Sequence, residues 1–234
     1  METSPRISVI MGVYNCEKHL AKAIQSILNQ TFKDFEFIII NDGSTDGSEA
    51  IIKSFSDPRI KFISQANIGL TKSLNKALKL AKGGLIARMD ADDIAYPERF
   101  AKEVKFLEQH PEIMLCGTWA KYINAQGEII GDFKTLLTDN EIKKSLLKHN
   151  PFIHPSVMVR KELFDKVGYY NENYRYVQDY ELWGRVVPKF KTANIPEYLM
   201  EYTTRLGLNR YKNLLGRWLT LKNRCSILAR MIFG

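Results

Sequence analysis

Three carboxylates fall within four residues at Asp90-Ala91-Asp92-Asp93, directly after the apolar run Leu85–Met89. Like charges this close repel, and a chain free to choose would spread them. A hard divalent cation resolves the conflict, since magnesium and manganese take oxygen ligands and often bridge carboxylates to substrate phosphates. From the cluster alone, a solvated acidic turn that caps the next helix is an equal reading. A second polar group, Asn41-Asp42-Gly43-Ser44-Thr45-Asp46-Gly47, follows the run Phe35–Ile40. Its glycines permit positive φ and close backbone approach, and Asp42 offers acceptors for a nucleobase edge. An ordinary turn with a helix cap also explains it. Tyr14-Asn15, after the run Arg6–Met11, is the third group, where an exposed ring could stack on a base.

These groups need elements to position them. Arg6–Met11 and Phe35–Ile40 are apolar and β-branched, as buried strands are. Between them Leu20, Ala23, Ile24, Ile27 and Leu28 recur as one helix face. Further along, the pattern predicts a helix over 48–55, a strand at 60–63, a helix over 70–81 and a strand at 85–89. Strands alternating with helices imply parallel crossovers, a mainly parallel central sheet flanked by helices, and ligands at the carboxyl ends of the strands. The second half predicts a helix from Pro97 to Gln109 and a hairpin about Asn124-Ala125-Gln126-Gly127. It continues with a helix over 140–148, a strand at 157–159 and a helix over 179–187.

Composition narrows the function class. The chain has 234 residues, 45% hydrophobic and 26% charged, which suits a globular domain and excludes a disordered one. No run reaches the ~18 apolar residues of a membrane-spanning helix. The polar start Met-Glu-Thr-Ser-Pro-Arg has no secretory pattern. Cys16, Cys116 and Cys225 are odd in number and far apart, so neither a disulfide framework nor a structural zinc site is expected, and a reducing cytoplasm fits. Of the net charge of +8, seven units come from the basic residues that follow Glu201, where no acidic residue remains. A nearly neutral body argues against a nucleic-acid-binding domain and gives the tail an anionic partner of its own.

Taken jointly, Val9-Ile10-Met11-Gly12-Val13-Tyr14-Asn15, Ser26-Ile27-Leu28-Asn29-Gln30-Thr31, Ile40-Asn41-Asp42-Gly43-Ser44-Thr45-Asp46, Asn67-Ile68-Gly69-Leu70 and Arg88-Met89-Asp90-Ala91-Asp92-Asp93 resemble family-2 glycosyltransferases of the GT-A fold. The resemblance continues through Pro97-Glu98-Arg99, Asn150-Pro151-Phe152-Ile153-His154-Pro155-Ser156 and Gln178-Asp179-Tyr180-Glu181-Leu182-Trp183. It implies a domain over 1–203, with a nucleotide-sugar half at 1–95 and an acceptor half at 96–203. It implies that Val13 and Tyr14, with Glu17 close by, hold the nucleobase, and that Asp42 binds the base edge. Asp90 and Asp92 would bind ribose and a Mn2+ or Mg2+ ion on the diphosphate, with Asp93 adjacent, and Arg88 or Lys72 would supply a cation nearby. Asp179 matches the family's catalytic base, while His154, Gln178 and Trp183 are candidates for the acceptor or pyrophosphate side. The bland readings stay open: a structural histidine at 154, core packing at 183, and a solvated loop for Tyr169, Tyr170, Tyr174 and Tyr176. Two positions depart from the family pattern: Gln178 replaces the Glu of a Glu-Asp pair, and Leu74 stands where many members carry arginine.

The implied reaction is a direct, inverting displacement, with a sugar nucleotide as donor. UDP-hexose or UDP-N-acetylhexosamine is the first expectation, and GDP- and dTDP-sugars stay open. The implied acceptor is a saccharide hydroxyl on undecaprenyl diphosphate, in O-antigen, capsule or exopolysaccharide assembly. A nicotinamide-dependent enzyme would need G-x-G-x-x-G after the first strand, and Gly12 stands alone. A nucleotidyltransferase would need a basic, glycine-rich phosphate loop, and Tyr14-Asn15-Cys16-Glu17 is not one. A non-catalytic, nucleotide-sugar-binding subunit is the alternative from another class.

The tail, 204–234, spaces Leu214, Leu215, Trp218, Leu221, Cys225, Leu228 and Ile232 roughly as a helix face among basic residues. That pattern reads as an amphipathic helix on the cytoplasmic face of the inner membrane, which would make the enzyme peripheral there. Packing on its own domain, or a dimer contact, is the other reading.

Overall fold

The structure, a computed structural model, describes residues 4–203 and 223–228. The first half alternates β1 (Ile7–Val13), α1 (Glu17–Leu28), β2 (Phe35–Asp42), α2 (Ser48–Lys53), β3 (Ile60–Gln65), α3 (Leu70–Leu80) and β4 (Leu85–Arg88). The second half adds β5 (Ile94–Ala95), α4 (Arg99–Gln109), β6 (Ile113–Ile123), β7 (Ile129–Phe133) and α5 (Asp139–Ser145). A single 3-10 turn (His154–Ser156) then precedes β8 (Met158–Arg160), α6 (Glu162–Val167), α7 (Gln178–Val186) and β9 (Lys191–Thr203). One nine-stranded sheet runs in the order β3-β2-β1-β4-β8-β6-β9-β5, with β7 hung on β6.

The donor half is parallel, as its apolar runs imply: β1 pairs β2 and β4, and β2 pairs β3, all parallel. Beyond β4 the sheet is mixed. β8 runs antiparallel to both β4 and β6, β7 and β5 are antiparallel additions, and β9 lies parallel to β6. The expected hairpin forms, and Gly127 takes the positive φ of 85° that its turn requires.

Strand side chains alternate between two cores. Ile7, Val9, Met11, Phe37 and Ile39 face α1 and α4, while Ile10, Ile38 and Ile40 face α3, α6 and α7. Each fully buried side chain of this size contributes about 1.5–3 kcal/mol. No helix among the described residues is long and apolar enough to cross a membrane. Most of the tail lies outside the described residues. Within 223–228, which are helical, Ile227 is buried in the core that holds α7 and Arg224 donates to the carbonyl of Lys148. Cys225 and Leu228 are exposed.

Candidate active site

The carboxyl ends of β1, β2 and β4 open into one cleft of about 690 Å³, closed on the far side by the 3-10 turn and the start of α7. Val13, Tyr14, Asp42, Arg88, Asp90, Asp92, His154, Gln178 and Asp179 all line it. Tyr14 is 51% exposed, so its ring is available to a flat ligand.

The loops after β1 and β2 are fastened to each other. Asn15 takes φ 51°, accepts from the Thr45 amide through Oδ1 (2.8 Å), and donates its own amide to Ser44 Oγ (3.1 Å). Glu17 accepts the Gly47 amide (2.8 Å), while Asp46 accepts the Glu17 amide (3.1 Å). Glu17 is therefore a loop fastener outside the main cleft, bordering a neighbouring one of about 500 Å³ with Asp46 and Asp92.

Asp42 is also a fastener. It is 3% exposed and accepts from the Ile68 amide (3.0 Å), the Gly69 amide (2.8 Å) and Gln65 Nε2 (2.9 Å). Burial pushes its carboxyl up, but these donors and Ser73 outweigh it and hold the group below its ordinary value. Gly43 is required beside it, because φ is +73° and a Cβ would stand 2.6 Å from the Asn67 nitrogen.

The turn after β4 is different in kind. One oxygen from each of Asp90, Asp92 and Asp93 lies within 4.8 Å of the others. Asp93 is 1% exposed. Its Oδ1 accepts the Thr203 amide (2.8 Å), and its Oδ2 is buried with no partner among the described residues. Burial, then Asp90 and Asp92, push its carboxyl well above the ordinary range. An orphaned buried oxygen among three converging carboxylates fits a hard divalent cation.

Arg88 is 2% exposed and pairs with Asp90 at 2.5 Å, while its Nε and Nη1 are buried and unpartnered among the described residues. Burial opposes its charge, and Asp90 more than restores it. Lys72 is exposed and lies outside the cleft lining, and Leu74 is fully buried where it could hold no charge. The backbone of this turn is held by Arg99, itself fully buried, which donates to the Arg88 carbonyl (3.0 Å) and to Glu103 (3.3 Å). Burial pushes the Glu103 carboxyl up to about 7 against the pull of Arg99. Gln30 clamps the same corner, accepting the Phe100 amide (3.0 Å) and donating to the Tyr96 carbonyl (2.8 Å). The Pro97-Glu98-Arg99 and Asn29-Gln30-Thr31 segments thus act through the scaffold.

Asp179 is the second residue of α7, which Val177 precedes with a φ of 54° that is left-handed and strained for a β-branched residue. Asn150 donates to Asp179 Oδ2 at 2.6 Å. Burial in the cleft wall raises the Asp179 carboxyl, opposed by the Tyr180 amide and Asn150. A half-buried carboxylate with a raised pKa suits proton abstraction. His154 hydrogen-bonds the Tyr170 hydroxyl (2.8 Å), and burial and the Arg88 charge keep its ring neutral.

For Trp183 the core-packing reading holds and the acceptor-side one does not. It is fully buried, packs edge-on to Phe152 (5.4 Å) and His154 (6.1 Å), and does not border the cleft. It follows Asp179 by four residues, but that side of α7 faces the core. Of the four loop tyrosines, Tyr176 lines the cleft, Tyr170 and Tyr174 are buried, and Tyr169 stacks on Phe164. Sequence reasoning missed Phe133 and Tyr202, and gave no role to Asn150 within its motif; all three also line the cleft. Their signal is three-dimensional, since Asn150 and Asp179 lie 29 residues apart.

Residues 8–168 match Glycosyl transferase family 2. The chain belongs to that family. It is 40% identical over 205 residues to an uncharacterized glycosyltransferase of Methanocaldococcus jannaschii, covering 85% of this chain and 70% of that protein. It is 36% identical over 202 residues to the O-antigen biosynthesis glycosyltransferase WbnJ of Escherichia coli, covering 84% and 78%. Among solved structures, S. aureus TarS 1-349 in complex with UDP-GlcNAc superposes with a TM-score of 0.75 at 19% identity, over 97% of this chain and 71% of that one. The mannosyltransferase PcManGT of Pyrobaculum calidifontis, in complex with GDP-Man and Mn2+, gives 0.70 at 16%, over 98% and 65%. The family-2 member therefore has the GT-A fold.

Proposed function

We propose that this glycosyltransferase moves a hexose or N-acetylhexosamine from a UDP-sugar to a saccharide hydroxyl, with inversion. The observation that carries the reading is one cleft lined by an aromatic base platform, a carboxylate turn and a raised-pKa aspartate. Tyr14 and Val13 hold the nucleobase, with Asp42 fixing the loop that borders it. Asp90, Asp92 and Asp93 would hold a Mn2+ or Mg2+ ion, which supplies positive charge to the diphosphate. Arg88 adds a buried guanidinium on the same side. Asp179 takes the proton of the acceptor hydroxyl as that oxygen bonds to the anomeric carbon. The bond from that carbon to the diphosphate oxygen breaks, and the nucleoside diphosphate leaves with the electron pair.

The acceptor is proposed to be lipid-linked, in surface polysaccharide assembly on the cytoplasmic face of the inner membrane. The relative WbnJ is named for O-antigen biosynthesis and AmsE of Erwinia amylovora for amylovoran biosynthesis, which supports this setting. The basic residues after Glu201 support an anionic surface as the tail's partner. The exposure of Cys225 and Leu228, opposite in character to buried Ile227, leaves apolar side chains to meet it.

Calorimetry with UDP, GDP and dTDP, each with and without manganese, tests the donor half. The expected result is metal-dependent UDP binding that Asp92→Asn loses. A folded protein that binds none of the three would overturn the reading in favour of a partner-dependent, non-catalytic subunit.

A further inference from the structure

We propose that the rings of Tyr122, Phe133 and Tyr202 form a platform for the second sugar unit of a glycan acceptor, leading out of the cleft along the β6–β7 hairpin. This rests on the transferase reading above and gives its acceptor a minimum size. The three rings come from β6, β7 and β9 and share one face of the sheet, because Ala120 pairs Phe133 while Tyr122 pairs both Gly131 and Tyr202. Tyr122 stacks on Phe133 with centroids 4.9 Å apart and planes 18° apart. Tyr202 meets them edge-on, at 5.9 Å from Tyr122 and 6.2 Å from Phe133. Phe133 and Tyr202 line the cleft that holds Asp90 and Asp179, whereas Tyr122 lies beyond that lining. The file of rings therefore starts at the reacting centre and leads away from it.

All three rings are half-buried, and Phe133 and Tyr202 pack against buried Ala120, Ile153 and Met200. Across from Tyr122 stands Gly131, where a Cβ would come within 3.8 Å of the ring, so the strand partner places no side chain beside it. The opposite face of these strands is built differently: Lys134 sits over Trp119 (5.2 Å) and Lys121 over Tyr198 (4.0 Å). Cations occupy the outer rings, and among the described residues none lies over the cleft-side rings. A pyranose has an apolar C–H face and a rim of hydroxyls, which matches flat rings flanked by tyrosine hydroxyls. An alkyl chain would gain from the area alone and leave those hydroxyls unused.

The test uses the full-length protein with UDP-glucose, UDP-galactose, UDP-GlcNAc and UDP-GalNAc as donors. Octyl glycosides of matched mono- and disaccharides serve as acceptors. Wild type is expected to favour a disaccharide over the monosaccharide that matches its non-reducing-end unit by about tenfold in KM, the scale of one aromatic contact. Tyr122→Ala and Gly131→Val, the second of which keeps every ring and only obstructs the platform, should each abolish that preference. Tyr122→Phe should retain it. UDP affinity, measured by calorimetry on the same variants, should hold within about twofold of wild type. No disaccharide preference in wild type, or an unchanged preference in both variants, would overturn the platform while leaving the donor reading intact. Loss of UDP binding by wild type itself would overturn both.

Discussion

The two ends of the cleft are built on opposite plans. At the base end, the loops after β1 and β2 satisfy each other: Asn15 with Thr45, Glu17 with Gly47, and Asp42 with Ile68 and Gly69. At the reacting end, among the described residues, Arg88 keeps two buried nitrogens unpaired and Asp93 one buried oxygen, and Val177 holds a left-handed backbone. A buried polar group without a partner costs about 1–3 kcal/mol, so the second plan survives only where the surroundings impose it. The contrast separates residues that shape a pocket from residues that await a reactant. Polar side chains of the same type, Asp42 and Asp93, fall on different sides of that line because of their partners rather than their identity.

Mutations can break this contrast. The largest expected effect is on Asp179→Asn, which should lose roughly 10²–10⁴-fold in turnover while keeping UDP affinity and stability. Steady-state kinetics beside calorimetry and urea unfolding would show it, and unchanged turnover would remove the base assignment. Asp42→Ala should behave in the reverse way, losing about 2–3 kcal/mol of stability because buried donors lose their acceptor. Its carboxyl is held below the ordinary 3.8, so this contribution is complete above that pH and fades as pH falls through the depressed value. A wild-type advantage that persisted undiminished into strong acid would contradict the account of Asp42.

Smaller effects sharpen the picture. With Asp179 as the proposed base, which must be ionised to act, kcat/KM should fall with decreasing pH, and the raised Asp179 pKa places that limb above the ordinary 3.8. Asn150→Ala removes a donor to the anion and should move the limb up by about one pH unit or less. A shift downward would mean that Asn150 acts otherwise. Val177→Gly relieves a left-handed valine at the cost of chain entropy and of the side chain's packing on the core that holds α7, and should change stability by less than about 1 kcal/mol. So small a change in stability with a severalfold loss in kcat would show that the strain helps place Asp179.

The donor half was legible because its strands are continuous apolar runs that end in turn residues, as at Phe35–Ile40 before Asn41-Asp42-Gly43. The long strand β9 was not. It carries Asn194, Pro196 and Glu197, and its pairing with β6 shifts register between Thr118 and Ala120, so no clean alternation survives. The acidic turn was legible as chemistry, but its supports were not. Arg99 and Gln30 belong to segments that carry the family resemblance, but nothing in the sequence showed that both are fully buried, because the backbone carbonyls and amides they satisfy come from distant segments. Trp183 shows the converse limit: helical spacing placed it beside Asp179, and only packing could decide which way that side of α7 faces.

Thr203 donates its amide to Asp93 and its hydroxyl to the Asp92 carbonyl. The last residue before the basic segment is thus clipped to the carboxylate turn itself. Ordering at this clip is shared property. On the proposed reading, an ion that steadied the turn would steady the root of the tail, and a surface that gripped the tail would steady the turn by the same free energy. Docking and donor loading would then read each other's state through two hydrogen bonds.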